Sequence, residues 1–150
     1  MAVCFPDTQG DEPRIAIHLS RVGVTGVKKL VSLEREGKRP IILVPTFDAF
    51  VDLPSHQKGI HMSRSPEAIS EVVDEVVSNS AIGVESICAN IVKRMLEKHE
   101  YAARVEINMT SEYMFTRESP ITQKESQEMA KLIAKQDIIW MYMRWPQFLL

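Results

Sequence analysis

The sequence is poor in cysteine and in long apolar runs. Its 150 residues contain two cysteines, Cys4 and Cys88, too few for a disulfide framework, so a reducing, cytoplasmic location is expected. It has no stretch of about 18 apolar residues, which argues against a membrane-spanning helix. Residues 1–14 lack a basic region followed by an apolar one, so a secretory signal peptide is not expected.

Excess charge of either sign is also missing. The formal net charge is −2, with 25% charged and 45% hydrophobic residues, so neither nucleic acid nor a membrane is an expected partner. A chain of 150 residues with this balance suits one soluble domain with its own core.

The first half of the chain contains signals for antiparallel strands. Residues 14–19 are a candidate short strand. Residues 27–36 and 40–51 are rich in alternating apolar and β-branched side chains, and Gly37 between them suits a turn, so we predict a hairpin. Pro45 cannot donate a backbone hydrogen bond, which indicates a bulge or an edge position.

Two amphipathic helices are predicted next, at about residues 66–79 and 84–99, because apolar side chains recur every three or four positions. Ser65 is the expected N-cap of the first helix. Cys88 falls on the apolar stripe of the second helix and is expected to be a small buried hydrophobe. His99 is expected to be a cation at the end of that helix.

The remaining pattern completes a fold class. Residues 104–110 alternate as a half-buried strand does, with 113–115 as a candidate extension, and residues 127–134 fit either a strand or a helix. The order is therefore two strands, two helices and one or two further strands. We predict an α+β fold in which two helices cover one face of an antiparallel sheet.

The stretch VDLPSHQKGIHMSR, residues 51–64, is the strongest candidate for chemistry. It leads into a predicted helix N-terminus, whose free N–H groups suit an anion. Lys58 and Arg64 would add positive charge and Ser63 a hydroxyl, which is typical of phosphate or nucleotide binding. The alternative is a solvated connection, and composition alone favours it.

The same stretch also offers metal ligands and a titrating group. His56 and His61 could bind zinc or ferrous iron with Asp52, although their spacing matches no standard local motif. His61 alone could act as a general acid or base near neutral pH.

Four stretches resemble a known family. They are RVGVTGVKKLV (21–31), PTFDAFVDLPSHQKGIHMSRSPE (45–67), CANIVKRMLEKHEYAARVEINMTSEYM (88–114) and SPITQKESQEMAKLIA (119–134). Together they closely resemble the archaeal GTP cyclohydrolases of methanopterin biosynthesis, also called GTP cyclohydrolase IV and related to the type IB enzymes. The resemblance implies the tunnelling fold (T-fold), whose ββααββ modules assemble side by side into barrels. Residues 1–135 are expected to form the first of two such modules, and residues 136–150 a divergent tail, frameshifted or disordered.

The resemblance also implies a reaction. The family opens the imidazole ring of GTP, releases formate and forms 7,8-dihydroneopterin 2′,3′-cyclic phosphate, with ferrous iron as cofactor. Within the resembling stretch we assign Lys58, His61, Ser63 and Arg64 to substrate binding. The family's Cys-Pro-Cys motif and metal ligands belong to the second module, so no catalytic or metal-binding residue is expected here. The expected partner is a second T-fold module or further copies of the chain; the alternative is a truncated, non-catalytic remnant, or an assembly or nucleotide-binding module.

Overall fold

The computed structural model describes residues 6–35, 37–78 and 83–139. Within these ranges eight elements follow one another: β1 (Leu19–Lys28), β2 (Val31–Arg35), β3 (Lys38–Leu43), β4 (Thr46–Leu53), α1 (Arg64–Ser78), α2 (Val84–Lys98), β5 (Arg104–Glu118) and β6 (Glu125–Ile139). Neither helix is long and apolar enough to cross a membrane.

The described strands form two antiparallel sheets. β1, β4, β5 and β6 lie side by side in that order, and β2 pairs with β3 in a smaller sheet. α1 and α2 pack together over one face of the larger sheet, since the buried side chains of β4 and β5 share one core with those of the helices. This confirms the predicted α+β fold with two helices on one face of an antiparallel sheet.

Each of the two strands predicted before the helices is divided in two. β1 gives way to β2 at Lys29 and Leu30, and β3 gives way to β4 at Val44 and Pro45. The Lys29 N–H donates to the Pro45 carbonyl at 3.2 Å, so the two breaks lie opposite each other across the hairpin. Gly37 makes the predicted turn from β2 to β3 with a φ of 67°, which glycine adopts without steric cost.

One hydrophobic core joins the helices to the sheet. Side chains alternate between buried and less buried positions over residues 46–51 of β4 and 104–111 of β5, as predicted, and each helix contributes one apolar stripe. The fully buried large side chains include Phe47, Ile69, Val72, Ile87, Ile91, Met95, Ile107 and Met109. Burying each of them stabilises the fold by about 1.5–3 kcal/mol relative to exposure.

The structure changes the predicted limits of the outer strands. Residues 14–18 are irregular, and Ile15 and Ile17 are exposed, so the short strand predicted at 14–19 was wrong except for Leu19. The ambiguous residues 127–134 are strand, within β6. β6 continues past position 135 to Ile139, paired with β5 throughout. The first residues of the predicted tail therefore continue the sheet, and residues 140–150 lie outside the described residues.

Candidate functional site

Residues 54–63 join the end of β4 to the start of α1, and we refer to them as the β4–α1 segment. α1 begins at Arg64, earlier than predicted, and the Ser63 carbonyl accepts a hydrogen bond from the Glu67 N–H at 3.1 Å. Ser65, the predicted N-cap, lies inside the first turn and is 1% exposed. The N-cap prediction was wrong because the Ser65 hydroxyl is bonded to a side chain from another element, as described below.

The four predicted substrate-binding residues lie along the β4–α1 segment and at the first position of α1. Lys58 and Ser63 have exposed side chains. Arg64 is half-buried, and its Nη1 donates to the Lys98 carbonyl at 2.7 Å, at the C-terminal end of α2. Lys58 and Ser63 are therefore open to a ligand, whereas part of the Arg64 guanidinium already has a protein partner.

His61, the fourth predicted residue, is paired with Asp7. The His61 Nε2 lies 2.9 Å from one Asp7 carboxylate oxygen and 3.1 Å from the other. This hydrogen bond lowers the pKa of Asp7, which is itself exposed. The His61 Nδ1 is buried and has no hydrogen-bond partner among the described residues. No sequence pattern indicated this contact, because its partners are 54 positions apart.

Backbone hydrogen bonds also hold residues 9–11, which precede β1, against the β4–α1 segment. The Lys58 N–H donates to the Asp11 carbonyl at 3.0 Å, and the Gly59 N–H donates to the Gln9 carbonyl at 3.2 Å. A Cβ atom at Gly59 would lie 2.1 Å from the Gln9 Oε1, so glycine allows this close approach, and a larger residue would have to displace the Gln9 side chain.

A chain of hydrogen bonds connects the β4–α1 segment to the end of α2. The Tyr101 hydroxyl accepts from the His61 backbone N–H at 3.3 Å and lies 2.8 Å from the His99 Nδ1. The other ring nitrogen of His99 lies 3.1 Å from the Ser65 Oγ. These contacts link the His61 backbone to the Ser65 side chain through Tyr101 and His99. Both belong to residues 99–103, the α2–β5 connection.

His99 is neutral in this chain of hydrogen bonds. It is 0% exposed, and burial lowers its pKa to about 4, with smaller contributions from the positive charge of Arg64 and other nearby cations. A neutral ring can accept from the Tyr101 hydroxyl at Nδ1 and donate to Ser65 from Nε2, which satisfies both nitrogens. The prediction of a helix-end cation was wrong because the α2–β5 connection folds back and buries this histidine.

The metal-binding alternative finds no support in the geometry. Asp52 Oδ1 accepts hydrogen bonds from the backbone N–H groups of Ala103 at 2.8 Å and Arg104 at 2.7 Å. His61 is paired with Asp7, and His56 is exposed. Among the described residues no group of three or more His, Cys, Asp or Glu side chains could hold a metal ion. The described part of the chain therefore does not fit the donor set that ferrous iron requires.

Cys88 is buried in the core as predicted. Burial raises the pKa of its thiol to about 11, so the thiol stays protonated and unreactive at neutral pH.

Glu71 and Glu75, one turn apart on α1, both pair with Arg94 of α2, at 3.1 and 2.6 Å. These carboxylates therefore join the two helices on the surface.

Comparisons with known proteins assign the chain to a family. The family model for type I GTP cyclohydrolase folE2 matches residues 5–144. GTP cyclohydrolase MptA of Methanobrevibacter smithii is 70% identical over 135 residues, which cover 90% of this chain and 43% of the relative. GTP cyclohydrolase MptA of Methanothermobacter thermautotrophicus is 64% identical over 132 residues, covering 88% of this chain and 42% of the relative. The chain thus spans less than half the length of these curated relatives.

The solved structures that match the chain include one enzyme. A dihydroneopterin aldolase from Burkholderia thailendensis, bound to guanine, shares 17% identity over 81% of this chain and 96% of its own, with a TM-score of 0.42. The family match covers nearly the whole chain, including β1 to β6 and the β4–α1 segment. The chain belongs to the type I GTP cyclohydrolase folE2 family.

Proposed function

We propose that this chain forms the N-terminal part of a GTP cyclohydrolase, which opens the imidazole ring of GTP, releases formate and yields 7,8-dihydroneopterin 2′,3′-cyclic phosphate. The observation that carries the proposal is the family match over residues 5–144, together with 70% identity to a relative named GTP cyclohydrolase MptA. Because the chain corresponds to 43% of that relative, the rest of the active site would come from a further module, in the same polypeptide or in another.

The β4–α1 segment is the part of this chain that we assign to GTP. The exposed Lys58 ammonium and Ser63 hydroxyl lie in the connection that leads into the N-terminus of α1. A helix N-terminus favours a phosphate group, and so does a lysine ammonium. Arg64 keeps further guanidinium N–H groups beyond the one bonded to α2. His61 could contact substrate through Nε2 only after displacing Asp7.

The complete enzyme would also need a cofactor and further protein modules. Ferrous iron is the cofactor that the resemblance implies, and it would be held by residues outside the described part of this chain. The active assembly would be a homo-oligomer or a pairing with a second T-fold module, located in the cytoplasm. In this assembly the present chain would supply substrate contacts and no metal ligand.

Formate release tests the proposal directly. The chain is mixed anaerobically with GTP, ferrous iron and a polypeptide comprising the part of the Methanobrevibacter smithii relative that this chain does not match. We expect formate from the mixture and none from either polypeptide alone, because the site needs both parts. The full-length relative is the positive control. If the full-length relative releases formate and the mixture does not, the catalytic proposal for this chain is wrong.

A second experiment tests the assignment of the β4–α1 segment. Lys58→Ala should weaken GTP binding to the reconstituted pair by about tenfold, because it removes a charge-assisted contact to phosphate. Lys93→Ala, which changes an exposed lysine on α2, is the matched control. Isothermal titration calorimetry measures both dissociation constants. Equal affinities for the two variants would remove Lys58 from the substrate site.

A further inference from the structure

The end of α2 and the connection from α2 to β5 contact residues 61–65 at three places. Lys98 contacts Arg64 through its carbonyl at 2.7 Å, and His99 contacts Ser65 at 3.1 Å. Tyr101 accepts from the His61 backbone N–H at 3.3 Å. Residues 61 and 65 are therefore both fixed by side chains from the same short connection.

Ser63, one of the proposed substrate-binding residues, lies between these fixed points and is open to a ligand. Ser63 is exposed, and it lies midway between position 61, bonded to Tyr101, and position 65, bonded to His99. A short stretch of backbone held at both ends has few conformations left, so the direction of the Ser63 hydroxyl and of the first N–H groups of α1 is restricted. Such restriction lowers the entropy lost when a ligand binds.

The Tyr101 hydroxyl is the centre of this arrangement. It accepts from the segment and lies 2.8 Å from the His99 Nδ1, so it links the two fixed points to each other. The Tyr101 ring also packs edge-on against the His99 ring, with centroids 5.6 Å apart. A phenylalanine ring could make the same packing contact. What the hydroxyl adds is the pair of contacts to the His61 N–H and the His99 Nδ1.

We infer that Tyr101 and His99 are positioning residues for substrate, which hold residues 61–65 in the conformation that receives the phosphate groups of GTP. This inference rests on the proposed function. Tyr101 and His99 act through the backbone at His61 and through Ser65, and they need not touch GTP themselves. Neither residue was assigned to substrate binding from the sequence, because hydrogen bonds across 40 and 34 positions leave no local pattern.

Tyr101→Phe tests the inference while keeping the ring. In the isolated chain we expect faster hydrogen exchange of the His61 amide, measured by NMR, because its acceptor is removed. In the reconstituted pair we expect the KM for GTP to rise about fivefold while kcat stays within about twofold, because the lost interaction concerns binding geometry. Ser65→Ala, which releases the other fixed point, should move KM in the same direction. Tyr113→Phe, on β5, is the matched control and should change neither quantity.

The outcomes separate the inference from the proposed function. Turnover by the unmodified pair, combined with an unchanged KM in both Tyr101→Phe and Ser65→Ala, would overturn the inference and leave the proposed function standing. An unchanged exchange rate of the His61 amide would overturn it as well. A loss confined to kcat would show that the hydroxyl acts on the chemical step and would contradict a positioning role. Absence of turnover in the unmodified pair, with the full-length relative active, would remove the proposed function and this inference together.

Discussion

At the scale of single residues, the most informative side chain is His99. It follows the last residue of a helix, where a histidine is usually a solvated cation, yet it is 0% exposed and hydrogen-bonded at both ring nitrogens. Protonation would place a positive charge in a buried position near Arg64, which burial and the like charge both disfavour. The folded chain at neutral pH therefore requires the neutral ring.

This requirement makes stability depend on pH. The pKa of His99 is lowered from 6.5 to about 4 by burial, so below pH 6.5 the unfolded chain binds a proton that the folded chain does not. Stability is present above pH 6.5 and is lost as the pH falls toward 4. We expect the free energy of unfolding in urea to fall by about 2 kcal/mol between pH 7 and pH 4.5 from this group alone.

A pair of variants isolates the contribution of His99. His99→Asn should be less stable at pH 7, because it leaves hydrogen-bonding groups unpaired, but its stability should change less with pH. His56→Asn, which changes an exposed histidine, should keep the pH dependence of the unmodified chain. The same pH dependence in His99→Asn and in the unmodified chain would show that His99 is not the titrating group.

At the scale of elements, the edge of the larger sheet has the clearest consequence. Within the described residues β6 pairs with β5 alone, so its other side offers free backbone groups along a strand of 15 residues. Ile133 and Ile139 are among its exposed apolar side chains. A long edge strand with exposed apolar residues tends to pair with another strand.

We therefore expect the purified chain to associate in a concentration-dependent way through β6. Ile133→Lys should weaken this association, because a charge at the edge opposes pairing with another strand. Sedimentation velocity at increasing protein concentration measures the average mass. Ile121→Lys changes an isoleucine that is 91% exposed in the turn before β6, and it is the control. A monomer at every concentration would contradict the expectation.

At the scale of the whole molecule, local patterns predicted the layers of the fold, and long-range contacts determined the site. Apolar periodicity placed α1 and α2 within about two residues of their observed limits and located β4 and β5 without their full extents, because each element buries one face. The division of the hairpin was foreseen only as an irregularity at Pro45. The partners of His61 and Ser65 were not predictable in this way, because they come from Asp7, Tyr101 and His99, which are distant in sequence.

The irregular residues 6–18, before β1, affect where a functional fragment of the chain must begin. A boundary drawn by secondary structure would fall at Leu19, the first residue of β1. Among the described residues, a boundary drawn by contacts falls at Asp7, because residues 7–11 supply a carboxylate and two carbonyls to the β4–α1 segment. Any shortened form that starts at the first strand would thus keep the whole sheet and lose the contacts that hold the β4–α1 segment in place.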